Sequence, residues 1–119
     1  MLKKIINAYL NGATKFYGKS ENIIESFCWE QILDSLNMIR RFLLKREHSL
    51  IEKRMNIGNL TLINFYQRSI GRLEVIMGIF LRLFGSKDRR FKFIQGIGIK
   101  LSQHCLEEQT KVFNKPAFL

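Results

Sequence analysis

The stretch LTLINFYQRSIGRLEVIMGIFLRLF, residues 60–84, decides the fold. Apolar side chains occupy nearly every face of the helix that it would form. A helix that is apolar on most faces packs against neighbours on several sides. We therefore expect residues 59–84 to form the central apolar helix of a bundle. Another helix would approach closely at Gly71 and Gly78, and Gly85 would cap the C-terminal end.

Two amphipathic segments precede this helix. Residues 2–17 carry apolar side chains at helical spacing, opposite lysines and asparagines. Residues 21–55 have a narrow apolar stripe without glycine or proline, and Ser20 before them is a candidate N-cap. Gly58 and Asn59 then predict a C-terminal cap, a short turn and a new N-cap. A turn this short makes the neighbouring helices antiparallel.

The last segment, residues 88–113, is ambiguous between residues 91 and 101. Apolar residues alternate there as in a strand, and Gly96 and Gly98 weaken a helix. The same apolar residues also fit a helical stripe, and no partner strand is evident elsewhere. We favour a helix. The 119 residues are therefore predicted to form a single all-α domain, an antiparallel bundle of about four helices.

The sequence lacks recognisable catalytic and metal-binding motifs. Gly96 and Gly98 are without the third glycine and the preceding strand of a nucleotide-binding motif. Cys28 and Cys105 lie among apolar residues, so we expect two buried, reduced thiols rather than zinc ligands. We predict a protein that is not an enzyme and needs no cofactor or metal.

Targeting signals are equally scarce in this sequence. No apolar run approaches the roughly 18–20 residues that span a bilayer, and the N-terminus has no signal-peptide core. We expect an intracellular protein, in the cytoplasm or an organelle matrix, that is neither secreted nor transmembrane.

Charge is the most informative property of the composition. The formal net charge is +10, from 20 Lys+Arg against 10 Asp+Glu. Residues 1–19, 39–56 and 87–100 each carry +4, whereas residues 20–38 carry −4. The charge is thus concentrated in clusters that act locally, within about a Debye length of 10 Å.

These clusters suggest the site residues. Cations at the start of the last helix interact unfavourably with the helix dipole, and an anion bound there would offset this cost. The aromatic residues beside these cations are suited to stacking on bases. The predicted anion-binding residues are Lys87, Arg89, Arg90, Lys92 and Phe91 in this cluster, and Arg40, Arg41, Lys45 and Arg46 in the second helix. We predict a non-catalytic nucleic-acid-binding subunit of a larger assembly, with RNA favoured over DNA.

Two alternatives remain open from the sequence. The chain would be a protein–protein adaptor, or a peripheral binder of anionic membranes, through the apolar face of the N-terminal helix. The residues predicted for that contact are Leu2, Ile5, Ile6, Tyr9 and Phe16. As an adaptor, the chain would bind an acidic protein. The apolar residues Phe118 and Leu119 at the C-terminus would add to the contact with that partner.

Overall fold

A computed structural model describes residues 2–47 and 57–114, with side chains given for residues 2–45 and 60–113. This part of the chain forms four helices: α1 (Leu2–Gly18), α2 (Ile23–Glu47), α3 (Ile57–Phe84) and α4 (Arg89–Asn114). No strand occurs among these residues. The all-α bundle of four helices is confirmed, and residues 91–101 are helical.

Aromatic contacts show that α2 and α3 run in opposite directions. Trp29, early in α2, lies 5.5 Å from Phe80, late in α3, between ring centroids. Phe42, late in α2, lies 5.4 Å from Phe65, early in α3. These two contacts fix which residues of α2 and α3 lie at the same height along the bundle.

The helix α1 packs against α2 and α4 through an aromatic cluster. The Phe16 ring stacks on Trp29 at 5.0 Å and an angle of 4°, and Phe93 of α4 lies 5.1 Å from Phe16. The Tyr9 hydroxyl donates to the carbonyl oxygen of Gly96 at 3.3 Å, nearer the start of α1 and further along α4. These contacts therefore make α1 antiparallel to α4.

Two helix boundaries differ from the prediction. The Asn22 side chain accepts a hydrogen bond from the Glu25 amide at 2.8 Å, so Asn22, not Ser20, is the N-cap of α2. The helix α3 begins at Ile57, which places Gly58 and Asn59 inside its first turn rather than at caps. Gly85 ends α3 with φ of 88°, as predicted. Residues 48–55, assigned to the second helix, and Phe118 and Leu119 lie outside the described residues.

The outer face of α3 is open. This helix contacts both α2 and α4, which agrees with its predicted central position. However, a Cβ atom added at Gly71 or Gly78 would meet nothing within 4 Å, and Val75 between them is 65% exposed. The prediction of a helix approaching closely at these glycines is therefore wrong for the described part of the chain.

The bundle also bears on the question of membrane insertion. Among the described residues, no helix combines the length and apolar character required for crossing a bilayer.

Candidate anion-binding surfaces

Arg90 is held inside the protein by three carboxylates. Its guanidinium forms two hydrogen bonds with Asp88, Nε to Oδ1 at 2.8 Å and Nη2 to Oδ2 at 2.7 Å. The other nitrogen, Nη1, lies 3.3 Å from Glu21 and 3.4 Å from Glu25. The group also stacks on the Phe84 ring, 3.4 Å from its centroid. Arg90 therefore fastens the start of α4 to the start of α2 and the end of α3.

The carboxylates in this network have further structural roles. Asp88 caps α4 by accepting the Arg90 amide at 2.8 Å. Glu25 is 1% exposed and accepts the Trp29 indole N–H at 3.0 Å. The hydrogen bonds from Arg90 lower the pKa of Asp88, and the same pair raises the pKa of Arg90. The predicted conflict between Arg90 and the helix dipole is thus resolved by the protein's own acids rather than by an external anion.

The other cations of this cluster remain accessible. Lys87, Arg89 and Lys92 are exposed. Arg89 and Lys19, which are far apart in sequence, both line a shallow depression of about 230 Å³ at this end of the bundle. Glu21 lines the same depression, so the surface here carries both signs of charge.

The aromatic residues of this cluster face the interior. Phe91 and Phe93 are half-buried and pack against the core. Phe93 lies within 5.8 Å of Tyr9 and 6.1 Å of Trp29 between ring centroids. Phe91, which was predicted to stack on bases, is half-buried against the core, so less of its ring is open to a base.

A second basic surface lies at the opposite end of the bundle. Phe16, late in α1, packs beside Trp29, early in α2, and the two helices run in opposite directions. The start of α1 therefore lies at the level of residues 40–45 in α2. The contact between Phe42 and Phe65 brings Arg68 of α3 to the same level. We call the resulting set the basic half; its members are Lys3, Lys4, Arg40, Arg41, Lys45 and Arg68.

Acidic residues are few in α1, α2 and α3 at this level, where α2 has Glu47 as its last residue. Residues 2–18, 35–45 and 60–73 contain no Asp or Glu. Among the described side chains, the carboxylates at this end lie on α4, where Glu108 lies 3.4 Å from Lys111 and Glu107 lies 3.3 Å from His104. The exposed cations Lys4, Arg41, Lys45 and Arg68 therefore have few acids nearby to neutralise them.

The residues of the basic half differ in accessibility. Lys4, Arg41, Lys45 and Arg68 are exposed. Arg40 is half-buried, and its buried Nε atom has no hydrogen-bond partner among the described residues. The side chain of Arg46 lies outside the described side chains. Arg68 was not among the predicted residues, because it stands alone in an apolar stretch and only the packing brings it to the cluster.

The apolar face of α1 is used within the bundle. Ile6 is completely buried, and Leu2, Tyr9 and Phe16 pack against the core. Ile5 is half-buried. The prediction that this face is free to bind a partner or a membrane is therefore corrected: it forms part of the folding core.

The remaining candidate groups are structural in character. Cys28 and Cys105 are buried and free, as predicted, and burial is the main cause of the raised pKa of each thiol. Within the described residues, no group of three or more potential metal ligands comes together.

Comparisons with known proteins give no further guide to function. Neither protein-family models nor curated proteins nor solved structures yield a match to this chain.

Proposed function

We propose that the protein binds nucleic acid through the phosphate backbone, with the basic half as the contact surface. The single observation that supports this is the segregation of charge. Residues 2–18, 35–45 and 60–73 contain several Lys and Arg and no Asp or Glu, and α2 adds one acid at that end, Glu47. Such a surface neutralises several phosphates and releases their counterions, which gives affinity without sequence specificity.

The position of the cations suits this role. They lie on helices whose opposite faces form the core, since Ile39 and Leu43 of α2 and Leu62 of α3 are buried. A rigid scaffold holds the charges in place, so binding does not require the backbone to fold first. The preference for RNA over DNA remains a prediction from the sequence, without the stacking that was expected to support it.

Fluorescence anisotropy with labelled RNA and DNA of one sequence tests the proposal. The full chain is titrated at several salt concentrations, beside the double variant Arg41→Glu, Lys45→Glu. Each lost phosphate contact flattens the dependence of log K on log salt by roughly 0.7 for single strands and 0.9 for duplex DNA. We expect the variant to bind more weakly and to lose roughly 1.4 to 1.8 from the slope.

The matched control is Lys87→Glu, Lys92→Glu at the other end of the bundle. Both double variants change the net charge equally, and all four side chains are exposed. We expect the control to keep most of the affinity. Equal losses in the two variants would mean that net charge alone drives binding, and no binding of the wild type at low salt would refute the proposal.

A further inference from the structure

An apolar groove between α2 and α3 opens on the same face of the bundle as part of the basic half. Its volume is about 420 Å³, which lies within the roughly 300–1,000 Å³ of small-molecule sites. Phe27, Val75 and Ile79 supply apolar walls, and Gln31 and Arg72 supply polar groups. A mostly apolar lining with a few polar groups is typical of a site that binds a ligand.

The groove is continuous with the basic half along both helices. Residues seven positions apart share one face of a helix, and Arg41 follows Phe27 by two such steps on α2. Arg68 precedes Val75 by one such step on α3. The distance from Phe27 to Arg41 along the axis of α2 is about 21 Å, at 1.5 Å per residue.

Arg72 lies between the groove and the basic half. It lines the groove and donates a hydrogen bond to the Ser35 hydroxyl at 3.3 Å, so it lies at the level of Ser35, between those of Phe27 and Arg41. Arg68, Arg72 and Arg41 therefore form a path of positive charge that leads from the basic half into an apolar groove.

Phe27 is the aromatic side chain of this groove. It is 59% exposed, whereas Phe91 and Phe93 are half-buried against the core. An open aromatic ring beside cations is the arrangement on which proteins stack the unpaired bases of single strands. The bases of a duplex already stack on one another, so the ring suits an unpaired base.

We propose that the groove receives an unpaired base of a single-stranded nucleic acid, whose phosphates lie on Arg72, Arg68 and Arg41. This inference rests on the proposed nucleic-acid binding and names single strands as its substrate class. The base stacks on the Phe27 ring, and the amide of Gln31, with its donor and acceptor, bonds to the edge of the base.

Two carboxylates of α2 lie near this path. Glu30 accepts a hydrogen bond from the Tyr17 hydroxyl at 2.6 Å and is thereby held towards α1. Asp34 is exposed and lies seven residues from both Phe27 and Arg41, on the same face of α2. The phosphates therefore follow the α3 side of the groove, where Arg68 and Arg72 lie, rather than the Asp34 side.

Fluorescence anisotropy of the full chain tests the proposal with a labelled single strand, the same strand carrying abasic sites, and the duplex. Phe27→Leu keeps an apolar side chain and removes the ring. We expect it to weaken binding of the intact single strand about fivefold or more, because a stacking contact is lost. Binding of the abasic strand and of the duplex should stay the same, and circular dichroism checks that the helices persist.

A matched pair of variants on α3 tests the groove itself. An added Cβ at Gly71 or Gly78 meets nothing within 4 Å, but of the two only Gly71 lines the groove. Gly71→Leu should fill the groove and weaken single-strand binding about fivefold or more, whereas Gly78→Leu should leave it unchanged. Neither variant changes the charge, so the slope of log K against log salt should stay that of the wild type.

Phe27→Trp gives a direct signal from the stacked base. This variant keeps an aromatic ring and should keep the affinity for single strands. The native Trp29 is completely buried, so a bound base reaches only the introduced indole. We expect its fluorescence to be quenched by the intact single strand and not by the abasic strand; equal signals with both strands would contradict the stacking.

The outcomes separate this proposal from the function on which it rests. If the wild type binds with the expected salt dependence but Phe27→Leu and Gly71→Leu leave single-strand binding unchanged, phosphate binding stands and the base site is refuted. If these variants weaken duplex and single-strand binding equally, the groove contacts the backbone and the base site is again refuted. Absence of any binding at low salt refutes both proposals.

Discussion

The contact between Gly12 of α1 and Phe93 of α4 gives a quantitative test of the packing. A Cβ atom at Gly12 would lie 2.6 Å from Cζ and 2.7 Å from Cε1 of the Phe93 ring. Carbon atoms in ordinary contact are about 3.5 to 4.0 Å apart, so Gly12→Ala forces the ring and the helix about 1 Å apart. The ring has little freedom to move, because Tyr9, Phe16 and Trp29 surround it.

Two opposing terms set the result of this substitution. Overpacking costs about 1–3 kcal/mol, and replacing a mid-helix glycine with alanine returns about 1 kcal/mol. The matched control is Gly98→Ala, also within a helix, where an added Cβ meets nothing within 4 Å. Only the helix term acts there, so this variant should be about 1 kcal/mol more stable than the wild type.

Urea unfolding followed by circular dichroism measures both free energies of unfolding. We expect Gly98→Ala to be more stable than Gly12→Ala by about 1–3 kcal/mol, which is the packing term. If both variants are equally stabilised, Gly12 is not a contact point, and the assigned packing of α1 on α4 is wrong.

Three further predictions concern the ends of the helices. Arg90→Ala leaves the buried Glu25 without its cation and should lower the free energy of unfolding in urea by about 2–3 kcal/mol; no change would mean that the network is not formed. The folded-state pKa of Asp88 lies below its unfolded value of about 3.9, so its contribution to stability is present above that pH and disappears as pH falls through the lower folded value. Asp88→Asn should therefore lose less stability than the wild type between neutral and strongly acidic pH, and parallel curves of unfolding free energy against pH would contradict this. Asn22→Ala should cost about 1 kcal/mol in thermal or urea unfolding, whereas Ser20→Ala should cost little, and the reverse order would restore Ser20 as the cap.

The sequence pattern was sufficient for the architecture. The spacing of apolar residues predicted each of the four helices, and Gly85 predicted the cap where α3 ends, because a glycine directly after a long apolar helix is typical of the left-handed C-terminal cap. The first residue of a helix is harder to predict where several polar residues that can act as N-caps are close together. Ser20 and Asn22 are both good N-caps, and only the hydrogen bond to Glu25 distinguishes them.

The candidate site required the tertiary structure. The sequence predicts Arg90 as an anion-binding residue because Glu21 and Glu25 lie 69 and 65 residues away along the chain, and no local pattern brings them together. Similarly, Arg68 is isolated in the sequence and joins Arg41 only through the packing of α3 on α2. Ionic networks depend on which helices are neighbours, which an apolar period does not specify.

The open face of α3 is a case in which the sequence predicts a contact that the described structure does not contain. Gly71 and Gly78 predicted a closely packed helix, yet the described chain places none there. The composition of a helix face reports that something can pack against it but not which chain supplies the partner.

Lysine footprinting of the wild-type protein shows directly whether nucleic acid covers the basic half. The protein is acylated with and without saturating nucleic acid, and the modification rate of each lysine is measured by mass spectrometry. We expect Lys4 and Lys45 to become protected, whereas Lys87 and Lys92, which are also exposed, keep their modification rates. Protection of Lys87 and Lys92 with no change at Lys4 and Lys45 would contradict this expectation.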